Sequence, residues 1–407
     1  MDGGDPAVEP QLDSFSLTFP LPYRIAFIVI LAVWGWGANL HFLYLRRIDV
    51  PSLIRYPNRS NSSQPTHHHS TYRLASFLSI ASSLSILTFW LFTRRDPRRV
   101  IDYDWLPMTN LLVLAVLFAV PLHRLPVSYT GRSRLLRTLR RISVGGLAEA
   151  KDGKFGDILL ADVLTSYAKI LADLFVCICM FFFAGRDGSA TARPDRACGG
   201  AVLVPLIMAL PSAIRLRQCL IEFVRVRRAP YREATGWGGQ HLANAAKYST
   251  AFPVIVLGAM LRNRKDGSTG LYGAWVAACL LNSLYSFYWD VTKDWDLTLL
   301  TKERDSPEHP FGLRRILLVH KPGVYYAVIA LDLVLRCTWM IKLSPTGDRI
   351  SDFESSIFLI QFLEVFRRWV WIFFRVETEW IRNSSSLGLD EMVLLGDYQG
   401  SKYEDED

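Results

Sequence analysis

Apolar runs long enough to cross a lipid bilayer recur along the whole of this 407-residue chain. A hydrocarbon core of about 30 Å takes about 20 consecutive apolar residues in a helix. Lipid offers no partners to backbone amides, so a chain that crosses it in runs of this length does so as helices. Half of the residues are hydrophobic. Their concentration in these runs favours an all-α, polytopic membrane protein over a large soluble domain.

The pattern predicts about nine transmembrane helices. The predicted spans are 24–44, 73–93, 105–123, 158–184, 199–214, 241–261, 270–289, 322–343 and 355–375. The first run is apolar for a full span and has no cleavage site, which is typical of a retained anchor. The fifth span is short and breaks at Pro211, and we expect a helix over 212–228 to continue it into the cytosol.

Positive charge predicts the orientation of these spans. The loops after the odd-numbered spans and the C-terminal tail hold most of the Lys and Arg residues, with the densest block at 132–141. Because cytosolic loops are enriched in these residues, we expect a luminal N-terminus and a cytosolic C-terminus. The arginine-rich loop at 94–99 disagrees with this majority. The glycosylation sequons at Asn58, Asn61 and Asn383 would face the cytosol and stay unmodified.

This orientation divides the chain into four parts. Residues 1–21 form an acidic luminal N-terminus, and residues 22–150 hold the first three transmembrane helices and a basic cytosolic segment. Residues 151–381 form a helical bundle. Residues 382–407 are polar and acidic, and we predict a disordered cytosolic tail there.

The net charge of +8 does not indicate a nucleic-acid-binding protein. The basic residues cluster beside spans, where they act as topology signals and contact lipid headgroups. The six cysteines are scattered and do not resemble a disulfide framework or a zinc site, and Cys198 alone is predicted in a non-cytosolic loop. The sequence has no phosphate-binding glycine loop, zinc-protease helix or serine nucleophile motif. We therefore expect no enzyme, no metal and no cofactor.

Ionisable residues lie inside several predicted spans, where each costs roughly 2.5–3.5 kcal/mol at the bilayer centre. In span 4, Asp162, Lys169 and Asp173 share one helical face, and Lys169 can pair with Asp173. An internal ion pair that fixes packing is one explanation. Two acids and one base leave a charge unpaired, however, which favours a lined cavity.

Spans 6 and 7 carry charge near their cytosolic ends. Lys247 lies about two turns into span 6 beside several hydroxyl groups. It is a candidate anion contact, although a lysine at this depth can also extend to the interface. Asp290 and Asp294 share a face at the end of span 7. They position an arginine, bind a cation or proton, or form a charged helix end, and they have too few neighbours for a metal site.

Arginines inside the last two spans indicate an anion. Asp332 and Arg336 are four residues apart deep in span 8, and span 9 holds Glu364, Arg367 and Arg368. Arginine stays charged, and its fork of donors fits phosphate or carboxylate bidentately. At membrane depth it must face protein, water or an anion. Structural pairing and a path for a small anion both remain open.

At these residues the chain resembles the EXS-domain family. This is the membrane part of phosphate exporters related to the xenotropic retrovirus receptor, and of the fungal ER-retention-defective proteins. The resemblance covers roughly residues 25–385 and rests on an ordered series of motifs. They are Gly35 to Leu40, Leu160 to Ser166, Pro211 to Cys219, His241 to Thr250, Tyr288 to Leu297, His320 to Pro322, Leu331 to Arg336, and Glu364 to Glu379.

The resemblance implies an all-helical bundle with a phosphate pathway. The implied anion contacts are Arg215, Lys247, Arg336, Arg367 and Arg368. Asp162, Asp290 and Asp294 would hold those cations or gate the path. The family's exporters also carry a cytosolic SPX domain and one more span, which are not found here. The chain is therefore similar to the shorter ER-retention-defective branch.

That branch implies a multi-pass Golgi membrane protein, with or without cycling through the ER. It would return inorganic phosphate from the lumen to the cytosol and support the retention of glycosyltransferases. The rival hypothesis is a scaffold without transport, whose cytosolic parts bind a coat adaptor and retain those enzymes. Either protein could act as a homodimer. Two departures stand out: Ile221-Glu222 where the exporters usually have two arginines, and Val163 where glutamine is usual.

Overall fold

The computed structural model describes residues 12–54, 67–120, 129–144, 146–183, 188–228, 237–263, 269–305, 307, 310–343 and 354–400. Within these ranges the regular structure is helical and no strand occurs. This confirms the predicted all-α class. The sequons at Asn58 and Asn61 lie outside the described residues.

Six helices form the N-terminal part. They are α1 (Ser14–Thr18), α2 (Leu21–Leu45), α3 (Val50–Leu53), α4 (His67–Thr93), α5 (Pro97–Asp102) and α6 (Trp105–Ala119). Acidic residues cap the short ones: Asp13 accepts from the Ser16 amide at 3.1 Å, and Asp96 accepts from the Arg98 amide at 3.0 Å. These caps satisfy amides at helix starts, which have no partner within the helix.

Helices α2, α4 and α6 pack around a small apolar core that includes Ile30, Leu78 and Leu114. Two glycines permit close packing on opposite sides of α2. A Cβ on Gly37 would lie 2.8 Å from the Tyr72 ring of α4, and a Cβ on Gly35 would lie 2.8 Å from the Trp369 indole. Helix α2 is thereby held between α4 and the C-terminal helix.

The C-terminal part contains α7 to α15. They are α7 (Tyr129–Ser143), α8 (Lys154–Ser166), α9 (Ala168–Phe183), α10 (Leu203–Arg228), α11 (Gly239–Ser249), α12 (Ala251–Asn263), α13 (Thr269–Trp289), α14 (Pro322–Arg336) and α15 (Glu354–Gly400). Helix α15 packs against α2, α8 and α14. It is one of the elements that connect the two parts of the chain.

Several helices of the C-terminal part are interrupted. Helices α8 and α9 meet at Tyr167 with a bend of 64°. Helices α11 and α12 meet at Thr250, whose hydroxyl contacts the Asn282 carbonyl oxygen at 2.9 Å. Helix α13 ends in a π-helical turn, Asp290–Asp294. Broken helices and π turns are common where membrane transporters and other proteins place binding sites.

Four helical segments of the described chain are long and apolar enough to cross a membrane. They are Leu21–Leu45, His68–Thr93, Pro97–Ala119 and Leu203–Arg228. The bent pair α8 and α9 adds a fifth if it is one span. The chain is therefore a helical membrane protein with several spans, and the count of nine stays a prediction.

The structure corrects three expectations from the sequence. Helix α10 continues through Pro211 without a break. Helix α15 continues to Gly400, where the sequence predicted a disordered tail from residue 382. Cys179 at the end of α9 and Cys198 in the next loop form a disulfide. Scattered spacing hid this pair, because only the fold brings the loop back onto α9.

The largest apolar core lies beside the π turn and fixes the elements that carry charge. Trp295, Tyr325, Trp371 and Phe374 are buried together there. The ring centroids of Trp295 and Phe374 are 5.6 Å apart, and those of Tyr325 and Phe374 are 5.1 Å apart. These aromatic contacts fix the positions of the π turn, α14 and α15 relative to one another, next to the charged residues that the same elements carry.

Candidate functional site

Charged side chains from six elements meet inside the bundle. The elements are α8, α10, α11, the π turn, α14 and α15. All eight residues that the sequence predicted for the site are buried or largely buried: Asp162, Arg215, Lys247, Asp290, Asp294, Arg336, Arg367 and Arg368. Most of them belong to two clusters, and Lys247 and Arg368 lie beside these clusters.

The arginine cluster consists of Asp290, Asp332, Arg336, Glu364 and Arg367. Arg367 donates to Asp332 at 2.9 Å and lies 3.5 Å from Asp290. Its other nitrogens donate to Glu364 at 3.0 and 2.7 Å. Arg336 donates to Asp332 at 3.0 Å and also to Asp290. Two arginines thus share three carboxylates, and Asp290 contacts both arginines.

The tyrosine cluster consists of Asp162, Arg215, Gln218 and Tyr248. Arg215 donates to Asp162 at 2.6 Å and to the Gln218 carbonyl oxygen at 2.5 Å. The Tyr248 hydroxyl donates to the same Asp162 oxygen, and its ring lies 4.8 Å from the Arg215 guanidinium carbon. Because both charges are almost completely buried, each depends on the other for its stability.

Lys247 lies between the clusters. Its ammonium is 4.3 Å from the Tyr248 ring centroid and 5.5 Å from that of Trp289. It is 4.0 Å from Asp294, which also lies 3.9 Å from Arg375. Asp290 and Asp294 therefore serve different cations, although the sequence placed them on a shared face. Lys247 is buried, so it does not extend to the interface.

Arg368 differs from the other buried arginines. It donates to the hydroxyls of Ser166 at 2.9 Å and Thr165 at 3.2 Å, and its guanidinium stacks 4.5 Å from the Trp371 ring centroid. In the described part of the chain it forms no ion pair with a carboxylate. A buried guanidinium held only by hydroxyls and a ring keeps charge and donors for another anion.

A third group of charges lies at the far end of α9 and at the start of α15. This end cluster consists of Arg24, Asp173, Arg196 and Glu354. Glu354 accepts from Arg24 at 2.7 Å and from Arg196 at 2.9 Å, and Arg196 is 3.6 Å from Asp173. Burial lowers the pKa of Arg196, but its hydrogen bonds and the nearby carboxylates outweigh this and raise it.

Sequence reasoning missed part of this arrangement. Asp173 pairs with Arg196 and accepts from Gln361 at 2.5 Å, instead of pairing with Lys169. Tyr248, Gln218 and Ser166 lie inside the quoted motifs but were not singled out as site residues, since uncharged polar residues are common in helices. Asp332 and Glu364 were recognised as buried charges but not as members of one cluster, because the contact joins residues distant in the chain.

Comparison with known proteins agrees with the family expected from the motifs. The EXS family model matches residues 19–381. The chain is 32% identical over 378 residues to Protein ERD1 homolog 1 of Schizosaccharomyces pombe, covering 92% of this chain and 94% of that protein. It is 29% identical over 403 residues to Protein ERD1 of Kluyveromyces lactis, covering 94% and 99%.

A longer relative matches through part of its length. The chain is 28% identical over 375 residues to Solute carrier family 53 member 1 of Homo sapiens, covering 89% of this chain and 50% of that protein. All eight predicted site residues lie inside the region matched by the EXS family model. The chain belongs to the EXS family.

Proposed function

We propose that this EXS-family membrane protein carries inorganic phosphate across the Golgi membrane, from the lumen to the cytosol. The observation that carries the proposal is Arg368, a buried arginine held by Ser166 and Thr165 beside the arginine cluster. The match to a protein named as a solute carrier supports transport as the activity.

The charges fit the physical demands on such a path. Phosphate near neutral pH carries between one and two negative charges, so removing its water requires charged or strongly polar partners. Arg336, Arg367 and Arg368 supply donors that match its tetrahedral oxygens. Asp290, Asp332 and Glu364 neutralise part of this charge. An anion can then bind by replacing a carboxylate as the partner of an arginine. The anion is released when the carboxylate returns to that arginine, so it is not held permanently.

The charged groups extend along the length of the bundle. On α15, Glu354 belongs to the end cluster, Arg367 and Arg368 lie near the middle, and Arg375 lies beyond them. A rise of about 1.5 Å per residue separates Glu354 from Arg375 by roughly 30 Å, comparable with a hydrocarbon core. The series therefore supports a path across the membrane rather than a single buried ion pair.

Direction and compartment rest on separate arguments. Glycosyl transfer from nucleotide sugars ends in luminal phosphate, which must leave the Golgi. The disulfide between Cys179 and Cys198 lies at the end that the positive-charge pattern places in the lumen. Disulfides persist in oxidising compartments, so this bond supports the proposed orientation. Carriage of phosphate would also support glycosyltransferase function and retention.

The test is labelled phosphate flux in liposomes that contain the purified protein. We expect flux in the parent and a loss of about tenfold or more in Arg368→Ala, since a hydrogen bond to a charged group contributes about 1.5–3 kcal/mol. The matched control is Arg382→Ala on the same helix. Arg382 is about half exposed and pairs with Asp296 at 3.5 Å at the surface.

Two outcomes would contradict the proposal. Flux that is equally strong in Arg368→Ala and in the parent would place the path elsewhere. No flux in folded parent protein would favour the scaffold that retains glycosyltransferases through a coat adaptor. In that case deletion of the C-terminal tail should misplace those enzymes, whereas Arg368→Ala should not.

A further inference from the structure

Lys169 lies in α9 on the face that points into the bundle. Asp173, Val176 and Met180 continue the same stripe at helical spacing, and all three are buried. Ile178 and Phe182 lie on the opposite face and are exposed, as lipid-facing residues are in a membrane helix. Lys169 is nevertheless exposed. Its exposed ammonium therefore lies on the face of α9 that otherwise packs into the bundle.

Three helices carry groups whose charge acts on Lys169. Glu364 of α15, Asp173 of α9 and Cys279 of α13 act on its ammonium. Glu364 is also partly open, since 36% of its side chain is exposed although Arg367 beside it is buried. Groups from α9, α13 and α15 therefore surround the exposed ammonium of Lys169.

Both neighbouring carboxylates already have closer partners. Asp173 accepts from Gln361 at 2.5 Å and lies 3.6 Å from Arg196. Glu364 accepts from Arg367 at 2.7 Å and from the Ser166 hydroxyl at 2.7 Å. Within the described part of the chain, Lys169 has neither a hydrogen bond nor an ion pair. A cation at membrane depth without a partner is costly, which indicates a functional role.

The position of Lys169 in its helix raises the positive potential further. Helix α9 begins at Ala168, directly after the bend at Tyr167. Helix N-termini carry partial positive charge, which opposes a lysine and favours an anion. Ser166, one turn away, holds Arg368 at 2.9 Å. Lys169 thus lies between the end cluster and Arg368, on the side from which luminal phosphate would arrive.

We propose that Lys169 forms a luminal subsite that captures a small oxyanion, inorganic phosphate, before the anion passes to Arg368. This inference rests on the proposed transport function and adds a second binding position to it. A single ammonium with water gives weak binding, which suits a capture site because tight binding there would slow onward movement. The Glu364 carboxylate, whose charge acts on the same ammonium, keeps the subsite from holding the anion permanently.

The test compares initial phosphate flux from each side of oriented liposomes. We expect Lys169→Met to raise the half-saturating phosphate concentration on the luminal side by about tenfold, from the loss of one charge-assisted contact. The half-saturating concentration on the cytosolic side should change less than twofold. Lys169→Arg keeps the charge and should remain within about threefold of the parent on both sides.

A second readout covers the case in which Lys169→Met folds poorly. Phosphate should raise the melting temperature of the purified parent, and Lys169→Gln should show a smaller rise than the parent. Sulfate, which has the same shape and a similar charge, should compete at the luminal side in the parent. Transport in the parent with an unchanged luminal half-saturation in Lys169→Met would overturn the subsite and leave the proposed function standing. An inactive parent would overturn the proposed function itself.

Discussion

The buried pair between Arg215 and Asp162 should be one of the main determinants of stability. The two side chains are each 4% exposed, and their closest atoms, Nε and Oδ1, are 2.6 Å apart. Arg215→Met fills much of the same volume but removes the charge. Asp162 would then keep the Tyr248 hydroxyl as its remaining hydrogen-bond partner, and Gln218 would lose its donor.

Breaking a buried ion pair from one side typically costs about 3–5 kcal/mol, because it leaves an uncompensated charge. We expect Arg215→Met to lower the free energy of unfolding by this amount. Arg217→Met is the matched control: it lies two residues away, is exposed, and donates to the Val144 carbonyl at 3.2 Å. Its substitution should change the free energy of unfolding by about 1 kcal/mol or less.

The double variant Arg215→Met with Asp162→Asn isolates the pair. Since it leaves no unpaired charge, it should recover about 2 kcal/mol relative to the sum of the single variants. The assay is denaturant unfolding in detergent, followed by tryptophan fluorescence. The reasoning would be refuted if the Arg215→Met protein were no less stable than the Arg217→Met protein. It would also be refuted if the loss in the double variant equalled the sum of the losses in the Arg215→Met and Asp162→Asn single variants.

Three further predictions concern the fold and its orientation. Cys198→Ser should lower the free energy of unfolding by about 2–4 kcal/mol. Reduction of the parent should lower its melting temperature as much as Cys198→Ser does, and no change in either experiment would mean that the disulfide is dispensable. Gly35→Ala should destabilise by about 1–3 kcal/mol, since its Cβ would meet Trp369 at 2.8 Å, whereas Gly273→Ala, which meets nothing within 4 Å, should be neutral or stabilising in the same melting assay. Asn383 should carry no glycan, so glycosidase treatment should not change the mobility of the protein, and a shift assigned to this residue would reverse the orientation.

The sequence predicted the helical class and most of the buried charged residues of the candidate site, because both depend on composition that a membrane restricts severely. Apolar runs of about 20 residues leave few alternatives to helices. A charged residue inside such a run is rare, so each one can be identified individually from the sequence. Arg336 and Arg367 were therefore found without any knowledge of how α14 and α15 pack.

Partners could not be predicted in the same way. Lys169 and Asp173 have the spacing of an ion pair in one helix, yet Asp173 pairs with Arg196 from the following loop. Local spacing determines which residues share a face, while the bend at Tyr167 and the disulfide determine which loop returns to it. Cys179 and Cys198 were missed for this reason, since their pairing depends on that same return.

Glu222 shows how the structure explains a departure from the family pattern. The resemblance to the exporters implies two arginines here, so Ile221-Glu222 gives this chain less positive charge near the predicted cytosolic end. In the structure, Glu222 contacts Lys154 at 2.8 Å and Arg225 at 3.2 Å.

The replacement therefore also neutralises two cations that remain. Arg225 donates to the carbonyls of Ala148 at 2.9 Å and Leu147 at 2.6 Å, so the pair fixes the segment before α8 against α10. If the proposed path ends here, these internal ion pairs hold that end together without a bound anion. Glu222→Gln should free Lys154 and Arg225 and loosen this segment, which increased hydrogen exchange at residues 146–149 would show; unchanged exchange there would mean that the backbone contacts of Arg225 suffice.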